Sequence, residues 1–188
     1  MQMTEKNEEV DWEVQKKLNV WDMKRRANAA LEELFEGKIR YLKIINRGMG
    51  SEAVDKALAE FVDDMYDKNM GGLTKLGADF LSKIAKKTLL NKIITSFWIN
   101  MQHMVNLDCL KKLEFYPDRT ELVIQKCTAK RAWKLGIRNN NMKEVLGAED
   151  YCKKMCVPLF NRLLEVAKAS SSAEFQKRGC EQVIKFNT

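Results

Sequence analysis

Two prolines, one histidine and nine glycines in 188 residues are the first informative scarcities. So little glycine and proline excludes a collagenous chain, and with a 45% hydrophobic share no biased tract runs long enough for a disordered or low-complexity reading. The single histidine excludes an HExxH pair, and no phosphate-cradling glycine loop or serine nucleophile elbow is present. Long apolar runs are missing too. The most apolar stretch, Leu89 to Met104, is interrupted by Asn91, Lys92, Asn100, Gln102 and His103, short of the roughly 20 apolar residues a bilayer span needs. The start, Met1 to Glu13, is acidic and polar, so the expectation is a cytoplasmic protein with reduced thiols and no membrane partner.

What is present fits one domain, residues 1–188, with enough apolar residues for a sizeable core. The net charge of +7 is spread over short pairs and triplets, Lys24-Arg25-Arg26, Lys86-Lys87, Lys111-Lys112, Lys130-Arg131 and Lys153-Lys154, most with acids nearby. No long basic stripe or nucleic-acid-binding motif accompanies them, so a solvated basic surface is expected and nucleic acid is not favoured as a partner.

Hydrophobic periodicity divides the chain near residue 103. Over residues 8–102 the pattern is helical: Val20, Met23, Ala27, Leu31 and Leu34 on one face, interrupted at Gly37; then Ser51 as an N-cap before Val54, Leu58, Phe61, Val62 and Met65, ending at Gly71-Gly72. A third run through Leu76, Phe80, Leu81 and Ile84 becomes the central helix at Leu89, Leu90, Ile93, Ile94, Phe97 and Trp98. Over residues 103–188 the period shortens to two at Val105, Leu107 and Cys109. Tyr116-Pro117-Asp118-Arg119 supplies a turn, and a returning strand from Thr120 to about Cys127 makes a hairpin. A short helix from Ala129 to Ile137 carries Trp133 and closes at Gly136, before an Asn139–Asn141 loop. A helix from about Ala148 has Pro158 near its start and is broken by Ser170-Ser171-Ser172. Glu174 to Phe186 reads as a second hairpin bending at Arg178-Gly179, with Cys180, Gln182, Ile184 and Phe186 on one face. The expected fold is α+β, N-terminal helices packed on a C-terminal antiparallel sheet built from hairpins.

Five cysteines in a reducing compartment do not form a disulfide framework. Cys127, Cys152, Cys156 and Cys180 each stand near an element end, and thiolates converging from separate elements suit zinc or an iron–sulfur cluster. Their spacing matches no knuckle that specifies a metal, so burial as small hydrophobes and a catalytic thiol remain alternatives. Lys126, Lys153, Lys154 and Arg178 are near in sequence and favour thiolate. Cys109 alternates with core residues and is read as packed, as is His103 at the end of an apolar helix.

The succession Val123–Cys127, Ala129–Gly136, Tyr151-Cys152-Lys153 and Gly179–Phe186 resembles the 2-aminothiazoline-carboxylate hydrolase-like family and its uncharacterised relatives, and more distantly the 4-vinyl reductase domain. The resemblance spans about residues 105 to 187. It implies that Cys127, Cys152 and Cys180 match recurrent cysteines, that Cys156 would complete a four-thiolate set, and that a small sulfur heterocycle is a conceivable substrate. No acid–base pair maps onto the chain from the resemblance; Glu181, adjacent to Cys180, and Asp150, near Cys152, are candidates. The resulting expectation is a small-molecule-binding protein with a cysteine-ligated iron–sulfur or zinc centre, acting as a hydrolase or redox enzyme. Its rivals are a metal-free cysteine hydrolase and a non-catalytic ligand sensor or interaction module.

Overall fold

The computed structural model describes residues 23–70, 86–101 and 107–187. Their architecture is α+β: helices dominate the N-terminal part and a four-stranded antiparallel sheet the C-terminal part. The first helix, α1 (Met23–Met49), buries Leu31, Phe35, Ile39 and Leu42 at steps of four, four and three, the spacing of one helical face. That stripe lies beside the expected one, and Leu34 is exposed. Nor does Gly37 interrupt the helix. It faces open space, and a glycine in an exposed helix interior costs only about 1 kcal/mol relative to alanine, too little to break a helix anchored by its buried stripe.

The chain turns at Gly50, whose φ of +83° suits glycine and whose N–H donates to the Asn46 carbonyl at 3.0 Å. Ser51 is therefore the first residue of α2 (Ser51–Met70) rather than its cap. Val54, Leu58 and Val62 are buried as the pattern requires. In α3 (Lys86–Asn100) the adjacent pairs Leu89/Leu90, Ile93/Ile94 and Phe97/Trp98 are all buried, so this helix is covered over a wide arc, and Phe97 meets Phe160 with ring centroids 4.6 Å apart. Gly71-Gly72, the run Leu76 to Ile84, His103 and Val105 lie outside the described residues.

The sheet runs β1 (Leu110–Phe115), β2 (Thr120–Ile124), β4 (Cys180–Phe186), β3 (Ala169–Phe175), with every neighbouring pair antiparallel. The expected turn joins β1 to β2, closed by Tyr116 N–H donating to the Arg119 carbonyl at 2.8 Å. Two boundaries move. Leu107–Cys109 is a 3₁₀ turn instead of the start of a strand, and β2 ends at Ile124 because Lys126 takes φ +54° and turns the chain out of the ladder. The serine run belongs to β3, where Ser171 shares the Asn161 side-chain oxygen through its N–H and its hydroxyl, both at 2.7 Å.

Between the hairpins stands α4 (Thr128–Asn139), packed along α1. Gly136 does not close it. A Cβ there would approach Ile39 Cγ1 to 3.1 Å and the Phe35 carbonyl oxygen to 3.4 Å, so the glycine lets the two helices lie close. A π-helical segment, Tyr151–Cys156, runs directly into α5 (Val157–Glu165), with Pro158 in its first turn. Phe35, Trp133 and Tyr151 make edge-on ring contacts that join α1 and α4 to the π segment. Among the described residues no helix is long and apolar enough to cross a membrane.

Candidate metal centre

Cys127, Cys152, Cys156 and Cys180 line one enclosed cavity of about 20 Å³ at the junction of helices and sheet. Cys127 caps the N-terminus of α4, its sulfur accepting from the Lys130 N–H at 3.5 Å. Cys152 and Cys156 come from the π segment, whose wider turn is marked by Val157 N–H donating to the Cys152 carbonyl five residues back. Cys180 begins β4 and pairs across the sheet with Ile124 on one side and Phe175 on the other. Cys109 lies outside the cavity. It is buried, and its thiol donates to the Lys126 carbonyl at 3.1 Å, a packed role as its alternation suggests.

The tip of the second hairpin is fastened to α4 through three consecutive carbonyls. Lys130 Nζ donates to the Gln176 carbonyl at 2.6 Å, Lys134 Nζ to that of Lys177 at 2.9 Å, and Cys127 N–H to that of Arg178 at 2.7 Å. Gly179 follows, pressed so closely onto the end of β2 that a Cβ would overlap the Ile124 carbonyl. These contacts fix Cys180 beside Cys127.

Burial governs the thiols. It pushes Cys127 up to about 11 and Cys152 up to about 12, and holds Cys156 and Cys180 above their ordinary range. Neighbouring cysteines push Cys127, Cys152 and Cys156 further in the same direction. Without a metal the four are therefore thiols near neutrality, contrary to the expectation from their basic neighbours. Burial outweighs those neighbours, of which Lys153 pairs with Glu149 at 2.8 Å and Lys154 with Asp55 at 2.7 Å. The cation that does act on Cys152 and Cys180 is Lys130. It is 1% exposed and lines the cavity, and sequence reasoning assigned it to the solvated surface. Its signal was positional: three residues after Cys127 it sits one turn into α4, beneath its own cap.

Two more groups escaped the sequence. Trp98 Nε1 and Gln182 Oε1 are buried without a hydrogen-bond partner among the described residues, and both side chains line the cavity. An unpaired donor and an unpaired acceptor around one small space are costly unless something polar fills it. A volume of about 20 Å³ admits one water-sized body. It does not admit a heterocycle. Glu181 and Asp150 do not line the cavity. Glu181 is exposed and accepts from Gln176 Nε2, while Asp150 accepts from the Gly147 N–H at 2.9 Å. Among the described residues no three His, Cys, Asp or Glu side chains converge as they stand on a point where an ion could sit. The thiols ring the space without closing on it. No protein-family model, curated protein or solved structure matches the chain.

Proposed function

We propose that the chain is a small-molecule-binding protein built around a metal centre held by Cys127, Cys152, Cys156 and Cys180. The observation that carries this reading is one enclosed cavity lined by four thiols from three separate parts of the chain, together with an unpaired donor and an unpaired acceptor. Soft sulfur donors in a water-poor site select zinc or iron–sulfur over hard cations. An iron–sulfur cluster needs more room than the present space of about 20 Å³, so the four sulfurs would have to move apart to hold one. The small volume favours a single zinc, drawing all four sulfurs to about 2.3 Å. Bound there, a cluster supplies electron transfer and a four-coordinate zinc a structural staple.

The chain's own residues divide the remaining work. Loading must displace protons from buried thiols, and Lys130 supplies the positive charge that offsets the thiolates formed. Trp98 Nε1–H, buried without a partner in a side chain that lines the cavity, is the donor left for whatever fills it. Hydrolysis by metal-activated water requires an open coordination position, hence one cysteine outside the ligand set. A metal-free thiolate hydrolase fits less well, because Cys127 and Cys152 hold their protons to about 11 and about 12.

The test is anaerobic purification followed by metal analysis, acid-labile sulfide and the visible spectrum. The expected result is one centre per chain, with metal content reduced by serine at each of positions 127, 152, 156 and 180 and unchanged in Cys109→Ser. A correctly folded protein with no metal and no sulfide, which takes up neither zinc nor iron and sulfide on reconstitution, would overturn the reading. Full occupancy in Cys156→Ser would remove that residue from the ligand set and open a coordination position.

A further inference from the structure

The cysteine cavity is too small for a metabolite, but a cleft of about 570 Å³ opens along another part of α4, within the 300–1,000 Å³ usual for small-molecule sites. Arg131, Lys134 and Arg138, at steps of three and four, present one helical face to it, and Lys143 joins from the loop that follows. Leu135 and the buried Leu146 give it an apolar wall. Its one carboxylate, Glu32, is taken by Arg131 at 2.8 Å. Lys134 donates to a neutral carbonyl, and its charge also acts on Glu149, which is not part of the cleft lining. The side chains of Arg138 and Lys143 have no ion-pair or hydrogen-bond partner among the described residues.

Some other surface cations are held by carboxylates: Lys112 pairs with Glu121, Lys153 with Glu149, Lys154 with Asp55 and Arg162 with Asp63. Uncompensated cations over a low-dielectric wall concentrate a positive potential inside the cleft, and the room below them is apolar.

We propose that this cleft binds a small organic anion, a carboxylate or phosphate on an apolar body. The anionic group is held by Arg138 and Lys143 with Lys134 beside them, and the body lies on Leu135 and Leu146. The site would serve as the small-molecule site of the reading above, but it stands whether or not a metal occupies the cysteine cavity.

The probe is 8-anilinonaphthalene-1-sulfonate, an anion on fused apolar rings, titrated by fluorescence into the full chain at low salt. Saturable binding of one molecule per chain is expected. Arg138→Gln and Lys143→Gln should each weaken it at least fivefold, and the double variant at least twentyfold. Lys56→Gln, on α2, should leave it unchanged. The uncharged analogue N-phenyl-1-naphthylamine should bind at least tenfold more weakly. Octanoate and octyl phosphate then compete for the site, and whichever displaces the probe at lower concentration identifies the head group. Circular dichroism and metal content, expected to match the parent in these exposed variants, separate a failure here from a failure of the metal centre. Absence of saturable binding, unchanged affinity in the double variant, or equal binding of the uncharged analogue would overturn the proposal. So would displacement by a short single-stranded oligonucleotide in preference to both amphiphiles, which would mark a polyanion surface instead.

Discussion

Replacing Gly179 with alanine tests the geometry that brings Cys180 to Cys127. A Cβ at this position would fall far inside the 3.0 Å that real Cβ atoms keep from the Ile124 carbonyl oxygen, with the Ile124 carbonyl carbon at 2.9 Å and Gln125 Cα at 3.3 Å. All three are backbone atoms, so no side chain can swing aside. The hairpin tip would have to withdraw from the end of β2 by roughly 1 Å, in a region packed to interior density. That motion stretches the 2.7 Å bond from Cys127 N–H to the Arg178 carbonyl beyond useful length and pulls Cys180 out of register with Ile124. Overpacking of this kind costs about 1–3 kcal/mol, and the lost hydrogen bond adds about 0.5–1.5 kcal/mol. We expect a total near 2–4 kcal/mol, read as a fall in the urea midpoint at unchanged slope, with metal content reduced in parallel. Gly37→Ala is the matched control. It meets open space in an exposed helix interior and should stabilise by about 0.5–1 kcal/mol. A Gly179→Ala protein within 0.5 kcal/mol of the parent, with full metal content, would refute the reasoning.

Further outcomes follow from the same contacts. Lys130→Met leaves the Gln176 carbonyl without its 2.6 Å donor and should cost about 1–3 kcal/mol while lowering metal content; an unchanged urea midpoint would show that this lysine fastens nothing. In the metal-free protein the raised thiol of Cys127 contributes stability that is complete below its ordinary value of 9.0 and is lost as pH rises through about 11. The stability difference between parent and Cys127→Ala should therefore shrink by about 2–3 kcal/mol from pH 8 to pH 12, and a difference that widens would contradict the burial argument. Binding to mixed-sequence DNA or RNA should be weak at physiological salt and lack a steep salt dependence at low salt; a tight, saturable complex with a preferred sequence would reverse that ranking.

The α+β class was legible because two periods coexist in the chain: steps of four through Val54, Leu58 and Val62, and steps of two through Cys180, Gln182 and Ile184. Boundaries were less so, since they depend on partners distant in sequence. Gly37 and Gly136 carry equal signals to a reader of the sequence, yet one faces solvent and the other lies beneath α1. The serine run reads as the break of a helix because serine is a weaker helix former, and only Asn161, ten residues away, shows why it is held extended. At the cysteine cavity the four sulfurs were visible as residues near element ends. Lys130, Trp98 and Gln182 were not, because each sits in a segment whose pattern already had an ordinary explanation. A charged side chain on an amphipathic helix is assigned to water until the hairpin tip that covers it is seen.

The π segment sets an angle as well as a position. Tyr151–Cys156 winds one more residue into its span than an α-helix would, as the five-residue bond from Val157 to Cys152 records. Deleting Lys153 or Lys154 would let the backbone recover an ordinary ladder with the flanking segments near their present orientation, and would re-space the residues between Cys152 and Cys156. Cys152 and Cys156 would then stand three residues apart in place of four, changing the direction between their sulfurs, while Tyr151 kept its place on the Phe35 ring. The shortened chain would hold a more regular helix and a poorer site. The extra residue thus acts as a phase adjuster between two halves of the molecule: Tyr151 takes its bearing from α1 through Phe35, α5 takes its own from β3, and the surplus turn reconciles the two directions in which the thiols must point.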